Sequence, residues 1–139
     1  MLVQPYLFFE GRCDEALDFY RRTLGAEVFM VMRWKDCPVA PPPGAPSMPP
    51  DKIMHARFRV GETTIMAADG MCQAQATFQG FALNLTAADA AEADRLFNAL
   101  ADGGQVRMPL AETFFSPRFG MVADKFGVLW MVYVEGKSP

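Results

Sequence analysis

The sequence predicts an α+β fold of two tandem βαβββ modules, and three observations carry the prediction. Strand-like and helix-like apolar patterns follow in the order strand, helix, three strands, and the order then repeats. Phe19 and Phe97, Gly25 and Gly103, and Val28 and Val106 each stand 78 positions apart, as a duplicated unit requires. Gly61 and Gly127 stand only 66 apart, so the first half carries about 12 extra residues between its helix and its last hairpin. A proline-rich segment lies in that interval.

Each element has a local reason. Val3 to Phe9 is rich in β formers and reads as a strand, broken at Glu10-Gly11-Arg12. A helix follows with Cys13 or Asp14 near its N-cap, Asp14 and Glu15 in the first turn where acids suit the dipole, and Gly25 as its stop. Ala16, Phe19, Tyr20 and Leu24 recur on its apolar side. Glu27 to Trp34 reads as a strand. From Asp36 to Asp51 the chain holds seven of its eleven prolines and must be loop, a candidate lid. Ile53 to Val60 and Thr63 to Asp69 read as strands turning at Gly61-Glu62. The second half starts with a strand from Gly80 to Thr86 and a helix from Asp89 to Asp102, with Ala93, Leu96, Phe97 and Leu100 on one stripe. Val106 to Thr113, Arg118 to Asp124 and Val128 to Val134 complete it, the last two turning at Phe126-Gly127. The expected division is one domain, 1–139, with module one at about 1–69, a connector at 70–79 and module two at about 80–139.

Composition bounds the function. With 51% hydrophobic and 21% charged residues the chain is ordinary for a globular domain. A net charge of −3 gives no electrostatic reason to expect nucleic acid as a partner. No apolar run approaches the ~18–20 residues that span a bilayer, so no membrane partner is expected. Cys13, Cys37 and Cys72 are too far apart for a disulfide framework or a zinc knuckle, and the N-terminus lacks signal-peptide character. Together these predict a reduced, cytoplasmic protein.

Pro5-Tyr6-Leu7-Phe8-Phe9, Gly11-Arg12-Cys13-Asp14-Glu15-Ala16, Phe19-Tyr20 and Leu24-Gly25-Ala26-Glu27 resemble the opening of PhnB-like proteins. Ile53-Met54-His55-Ala56 resembles their third strand. Met108-Pro109-Leu110, Glu112-Thr113-Phe114-Phe115, Phe119-Gly120 and Asp124-Lys125-Phe126-Gly127-Val128-Leu129-Trp130 resemble their second half. PhnB-like proteins are a branch of the vicinal oxygen chelate superfamily, with the glyoxalases, bleomycin-resistance proteins and extradiol dioxygenases. The resemblance implies a glyoxalase-like mixed sheet curled around a concave cavity, and a homodimer. Some members of the branch carry a demethylubiquinone methyltransferase label. The sequence offers no strand, Gly-rich turn and helix to cradle a nucleotide cofactor.

Metal-dependent members of the superfamily hold a divalent ion with His, Gln or Glu from four strands. The corresponding positions here fall on Pro5, on Ile65 or Met66, within Gly80 to Asn84, and on Met131. These are poor donors for such ions, so the expectation is no metal cofactor, with a metal held by other residues as the alternative. Candidate binding residues are His55, Met66, Asn84, Glu112, Arg118, Phe119 and Met131; no catalytic residue is assigned. His55, the chain's one imidazole, is either an acid–base group or a structural histidine bonded to backbone or facing a dimer interface. Arg118 either holds an anionic ligand or pairs with Glu112 or Asp124. Phe114, Phe115 and Phe119 with Met66, Met108 and Met131 are candidate pocket residues. Phe8, Phe81 and Trp130 are assigned to the core. Cys13 at a helix start is either a reactive thiol or a structural residue. Three functions remain: a metal-free protein binding an unidentified small molecule; a metal-dependent lyase, isomerase or dioxygenase; and a non-catalytic dimeric interaction module.

Overall fold

The computed structural model describes residues 1–39, 42–45, 47–72 and 75–136. The chain divides into two compact units, Met1–Ala76 and Thr77–Pro139. The first unit runs β1 (Tyr6–Phe8), α1 (Cys13–Leu24), β2 (Glu27–Arg33), β3 (Ile53–Val60) and β4 (Thr63–Ala68). The second runs β5 (Leu83–Ala87), α2 (Ala90–Ala101), β6 (Gln105–Ala111), β7 (Phe119–Ala123) and β8 (Leu129–Val134). Their sheets have the same order, β1-β4-β3-β2 and β5-β8-β7-β6. In each, the first strand joins the last in parallel and the other neighbours are antiparallel. The expected pair of βαβββ modules is therefore the observed architecture.

Two strands begin three residues later than the sequence suggests. β1 starts at Tyr6 rather than Val3, and Leu2 and Val3 are exposed. β5 starts at Leu83 rather than Gly80, because Gly80 turns the chain at φ +83°. Strand propensity had no partner strand to act against at either end. β6 tolerates Pro109 because it is an edge strand with two register shifts, so the missing N–H costs no inner ladder bond.

The helices are held differently. α2 is capped locally: Asp89 accepts the Glu92 N–H at 2.8 Å. At α1 the preceding Arg12 makes no side-chain cap bond. Instead Asp69, just beyond β4 and fully buried, accepts the Cys13 N–H at 2.8 Å and the Ile53 N–H at 2.6 Å. One carboxylate thus ties the start of α1 to the start of β3. α1 ends as expected at Gly25, whose φ of +65° lets its N–H reach the Tyr20 carbonyl. The core of the first unit buries Phe19 and Tyr20 of α1 and Phe58 of β3, with Phe19 edge-on to Tyr20 at 5.6 Å and Tyr20 stacked on Phe58 at 5.7 Å. The second buries the predicted stripe Ala93, Leu96, Phe97 and Leu100 against its sheet.

After β2 a short 3₁₀ turn, Trp34–Asp36, opens the proline-rich loop. The loop is tied at its base: the Trp34 N–H donates to the Lys52 carbonyl at 3.1 Å and the Lys35 N–H to the Pro50 carbonyl at 3.0 Å. Arg33 adds a two-pronged bond to Asp14, at 2.8 and 2.9 Å, and a third to the Asp51 carbonyl at 2.7 Å. Within this loop Ala40, Pro41 and Pro46 lie outside the described residues, so the lid expectation rests in part on positions not described.

Candidate functional site

Strand alternation gives each sheet a face toward its own helix and a face away from it. In the first unit Leu7, Ala56, Phe58, Ile65 and Ala67 are buried toward α1. Tyr6, His55, Arg57 and Met66 alternate with them and occupy the other face. The register aligns Tyr6, Met66, Arg57 and Met30 across the four strands. His55 lies beside that row, opposite Met32. In the second unit the matching row is Asn84, Met131, Met121 and Met108. The 78-residue offset also relates Tyr6 to Asn84. On the first strand, then, Tyr6 and not Pro5 stands opposite Met66; on the fourth, Met66 and not the buried Ile65 matches Met131.

The first unit's row carries a hydrogen-bonded set. Arg57 Nε donates to His55 Nε2 at 3.2 Å, and His55 Nδ1 lies 2.8 Å from the Tyr6 hydroxyl. A guanidinium can only donate, so Nε2 must be the unprotonated nitrogen. The neutral ring then carries its proton on Nδ1 and donates it to the Tyr6 oxygen. The phenolic hydrogen is left to point elsewhere. Burial, and after it the Arg57 cation, hold the His55 pKa below its usual value, which favours this neutral form. Burial also raises the Tyr6 pKa, so the hydroxyl keeps its proton. Phe8, stacked on Tyr6 at 4.8 Å, gives the set an apolar border.

Other candidates are distributed differently. Asn84 is exposed and bonds Thr86 at 3.3 Å. Met131 is half-buried opposite Asn84 and Met121. Phe119 is buried, with Phe115 edge-on at 5.1 Å, and Phe115 stacks on Tyr133 at 6.4 Å. Glu112 is exposed just past β6. The ion pair that Arg118 forms is not the expected one with Glu112 or Asp124 but one with Asp94 on α2, its Nε 3.2 Å away. Asp124 is engaged elsewhere, buried and accepting from the Phe126 N–H, the Val128 N–H and the Trp130 indole. Trp130 is core, as expected. Phe8 and Phe81 are not: each is about half exposed, because Phe8 shares with Tyr6 the face turned away from α1 and Phe81 precedes β5. Cys13 is buried, and burial, then Asp69, push its thiol pKa up, which removes the reactive reading.

Among the described residues no group of three or more His, Cys, Asp or Glu side chains is placed to hold a metal ion. The donors that do meet are a phenol, an imidazole, a guanidinium and thioethers, and of these only the imidazole suits a hard or borderline divalent ion. A separate cavity of about 500 Å³ lies under the proline-rich loop, lined by Trp34, Val39, Met48, Pro50 and Met71 among others.

Sequence reading found His55 and Met66 but missed Tyr6 and Arg57. The available signal was spacing: His55 and Arg57 are two apart on one strand and must share a face. Pairing Tyr6 with them needs the parallel β1–β4 register, which no local pattern encodes.

Comparison with known proteins gives a consistent picture. The family model described as 3-demethylubiquinone-9 3-methyltransferase matches residues 2–133. Protein YjdN of Escherichia coli K12 is 38% identical over 145 aligned positions, covering 100% of this chain and 99% of YjdN. The crystal structure of protein PA1353 from Pseudomonas aeruginosa is similar at a TM-score of 0.84 and 42% identity, covering 97% of this chain and 98% of that one. A PhnB protein from Bacillus cereus follows at 0.79 and 28%, covering 96% and 99%. In fold alone, the chain is like a glyoxylase/bleomycin resistance protein/dioxygenase domain from Frankia, with a TM-score of 0.63 at 16% identity, covering 96% and 94%.

Proposed function

Because this chain belongs to the PhnB-like family of the vicinal oxygen chelate superfamily, whose model bears the 3-demethylubiquinone-9 3-methyltransferase description, we propose that it binds a small molecule without a catalytic divalent metal. The binding surface in this reading is the face of the first sheet turned away from α1. One observation carries it: the Tyr6, His55 and Arg57 set, a fixed chain of hydrogen bonds that ends in a phenolic hydrogen with no acceptor among the described residues and is bordered by Phe8 and Met66. Binding sites combine apolar walls with a few fixed polar groups in this way. Met66 and Met30 add pliable surface that adapts to varied shapes.

The metal-free part of the reading is supported by donor chemistry. Tyr6 and Met66, with Asn84 and Met131 in the second unit, fill the matching rows of the two sheets, and thioethers and a neutral amide are weak donors to hard cations. The methyltransferase description is not carried over as an activity. The turns from first strand to helix, 9–12 and 88–89, hold one glycine between them, so neither is the Gly-rich phosphate cradle of a nucleotide-binding fold. Self-association fits the apolar residues exposed on the edge strands, Phe29 and Val31 on β2 and Val106 and Met108 on β6. No described helix is long and apolar enough to cross a membrane.

The test is a thermal-shift screen of untagged protein against amphipathic metabolites and antibiotics, with metal analysis of the same preparation. A ligand that binds only the folded state raises the melting temperature, and the hits should perturb the His55 imidazole in NMR spectra. Hits that leave His55 undisturbed would refute the site. Stoichiometric zinc, nickel, manganese or iron would refute the metal-free reading.

A further inference from the structure

Resting on that reading, we propose that the group anchoring the ligand is a carboxylate or a similar oxyanion, held jointly by the Arg57 guanidinium and the Tyr6 hydroxyl. The argument starts from two arginines on one strand. Arg57 and Arg59 are both exposed and two apart on β3, so they share a face. Arg59 stands opposite Glu27 of β2 and forms an ion pair with it at 2.5 Å. Arg57 stands between Met30 of β2 and Met66 of β4, neither of which can offer a negative charge. Among the described residues no carboxylate lies within ion-pair distance of Arg57. Its only hydrogen bond to them leaves from Nε toward His55. That bond fixes the plane of the guanidinium and, among the described residues, leaves the four Nη hydrogens unspent.

The same bond sets the direction of the Tyr6 hydroxyl. With Arg57 on Nε2 and the ring proton on Nδ1, Tyr6 accepts from His55 and must donate to something else. Donation into its oxygen polarises the O–H and makes it a better donor in turn. Two kinds of donor, one charged and one neutral, are thus presented on one sheet face, on the two sides of His55, and among the described residues no acceptor takes their remaining hydrogens. A planar oxyanion is the group that uses both, taking a two-pronged bond from the guanidinium and a third from the phenol. Phe8 and Met66, beside the set, would meet the apolar body of such a molecule. His55 is here a positioning residue: it touches no ligand and acts by orienting Arg57 and Tyr6.

Benzoate and benzamide, alike in shape but not in charge, test the assignment by NMR titration of the untagged protein, read at the His55 ring nitrogens. Benzoate should bind at millimolar concentration and shift both nitrogens, and benzamide should bind about 10- to 100-fold more weakly, the worth of a hydrogen bond to a charged group. Arg57→Gln should bring benzoate down to the benzamide level. Tyr6→Phe should weaken benzoate about 10-fold while leaving benzamide little changed. Circular dichroism and melting curves confirm that each variant is folded, and Arg57→Lys serves as a second variant that keeps the charge but loses the two-pronged geometry. Equal shifts from both probes, or benzoate binding that survives Arg57→Gln, would overturn the oxyanion assignment and leave the binding face standing. No shift at His55 from either probe would overturn the oxyanion assignment as well. Ligands from the thermal screen that bind without disturbing His55 would remove the binding face itself.

Discussion

The two modules share a strand order and a register, yet the corresponding faces of their sheets carry different chemistry. The first presents Tyr6, Arg57 and, one row on, His55. The second presents Asn84, Met121 and Phe119 at the matching places. The row neighbours Met66 and Met131, and Met30 and Met108, are the same residue in both. The thioether background is thus common to both halves, while the Tyr6, His55 and Arg57 set belongs to the first. The fold constrains the side of each sheet that packs on its helix, since those residues fill the core. The other side is free to diverge, and in the proposed reading ligand specificity would lie there.

The buried faces differ in one respect, and the largest predicted effects address it. Asp69 joins two separate elements, the starts of α1 and β3, whereas Asp124 works within one hairpin and its own Trp130. Asp69→Ala and Asp124→Ala each leave two or more buried N–H groups unsatisfied and should each cost about 3 kcal/mol or more by urea unfolding. Asp69→Ala should also expose the Cys13 amide to hydrogen exchange while the second module stays protected. Equal loss of protection in both modules would show that the aspartates are not local.

A smaller effect is expected at Gly120 of β7, where an added Cβ would meet Phe97 Cε2 and the Met108 carbonyl, each at 2.9 Å. Gly120→Ala should cost about 1–3 kcal/mol through overpacking. The corresponding residue of the first module is Ala56, which already carries a Cβ in the core, so Ala56→Gly tests the converse: a loss of about 1 kcal/mol, from a cavity and a looser strand.

The fold was legible because its signals are local and repeated. The α2 stripe, Gly25 at the end of α1, and the 78-residue offsets each depend on residues near one another in sequence or on a simple count. The site was legible only in part. His55 stands out as the single imidazole, but its partner Tyr6 lies 49 positions away and meets it only once β1 lies parallel to β4. Arg118 went the other way: sequence proximity suggested Glu112 or Asp124, and a helix residue, Asp94, holds it instead. Phe8 and Phe81 read as core because aromatic residues in strands usually are; Phe8 is exposed because it lies on the face turned away from α1, and Phe81 because it falls before the start of β5.

The smallest effect is on pH. His55 has a folded pKa below its unfolded value, so the unfolded chain binds its proton more tightly and stability falls as pH drops through the unfolded value of about 6.5. Asp14, whose carboxyl is held low chiefly by its bond to Arg33, acts in the same direction at more acid pH. Both groups are largely solvated, so the losses should be slight. His55→Gln should flatten the first of them, and an unchanged profile would remove His55 from the account.

The direct test of the donor set is the tautomer of the lone histidine. Long-range ¹H–¹⁵N spectra of the imidazole above pH 7 should place the proton on Nδ1, with Nε2 as the acceptor, and Arg57→Ala should release that preference. A proton found on Nε2 in the unmodified protein would mean that Arg57 does not hold the ring. The free phenolic hydrogen, and with it the contrast between the two modules, would then be lost.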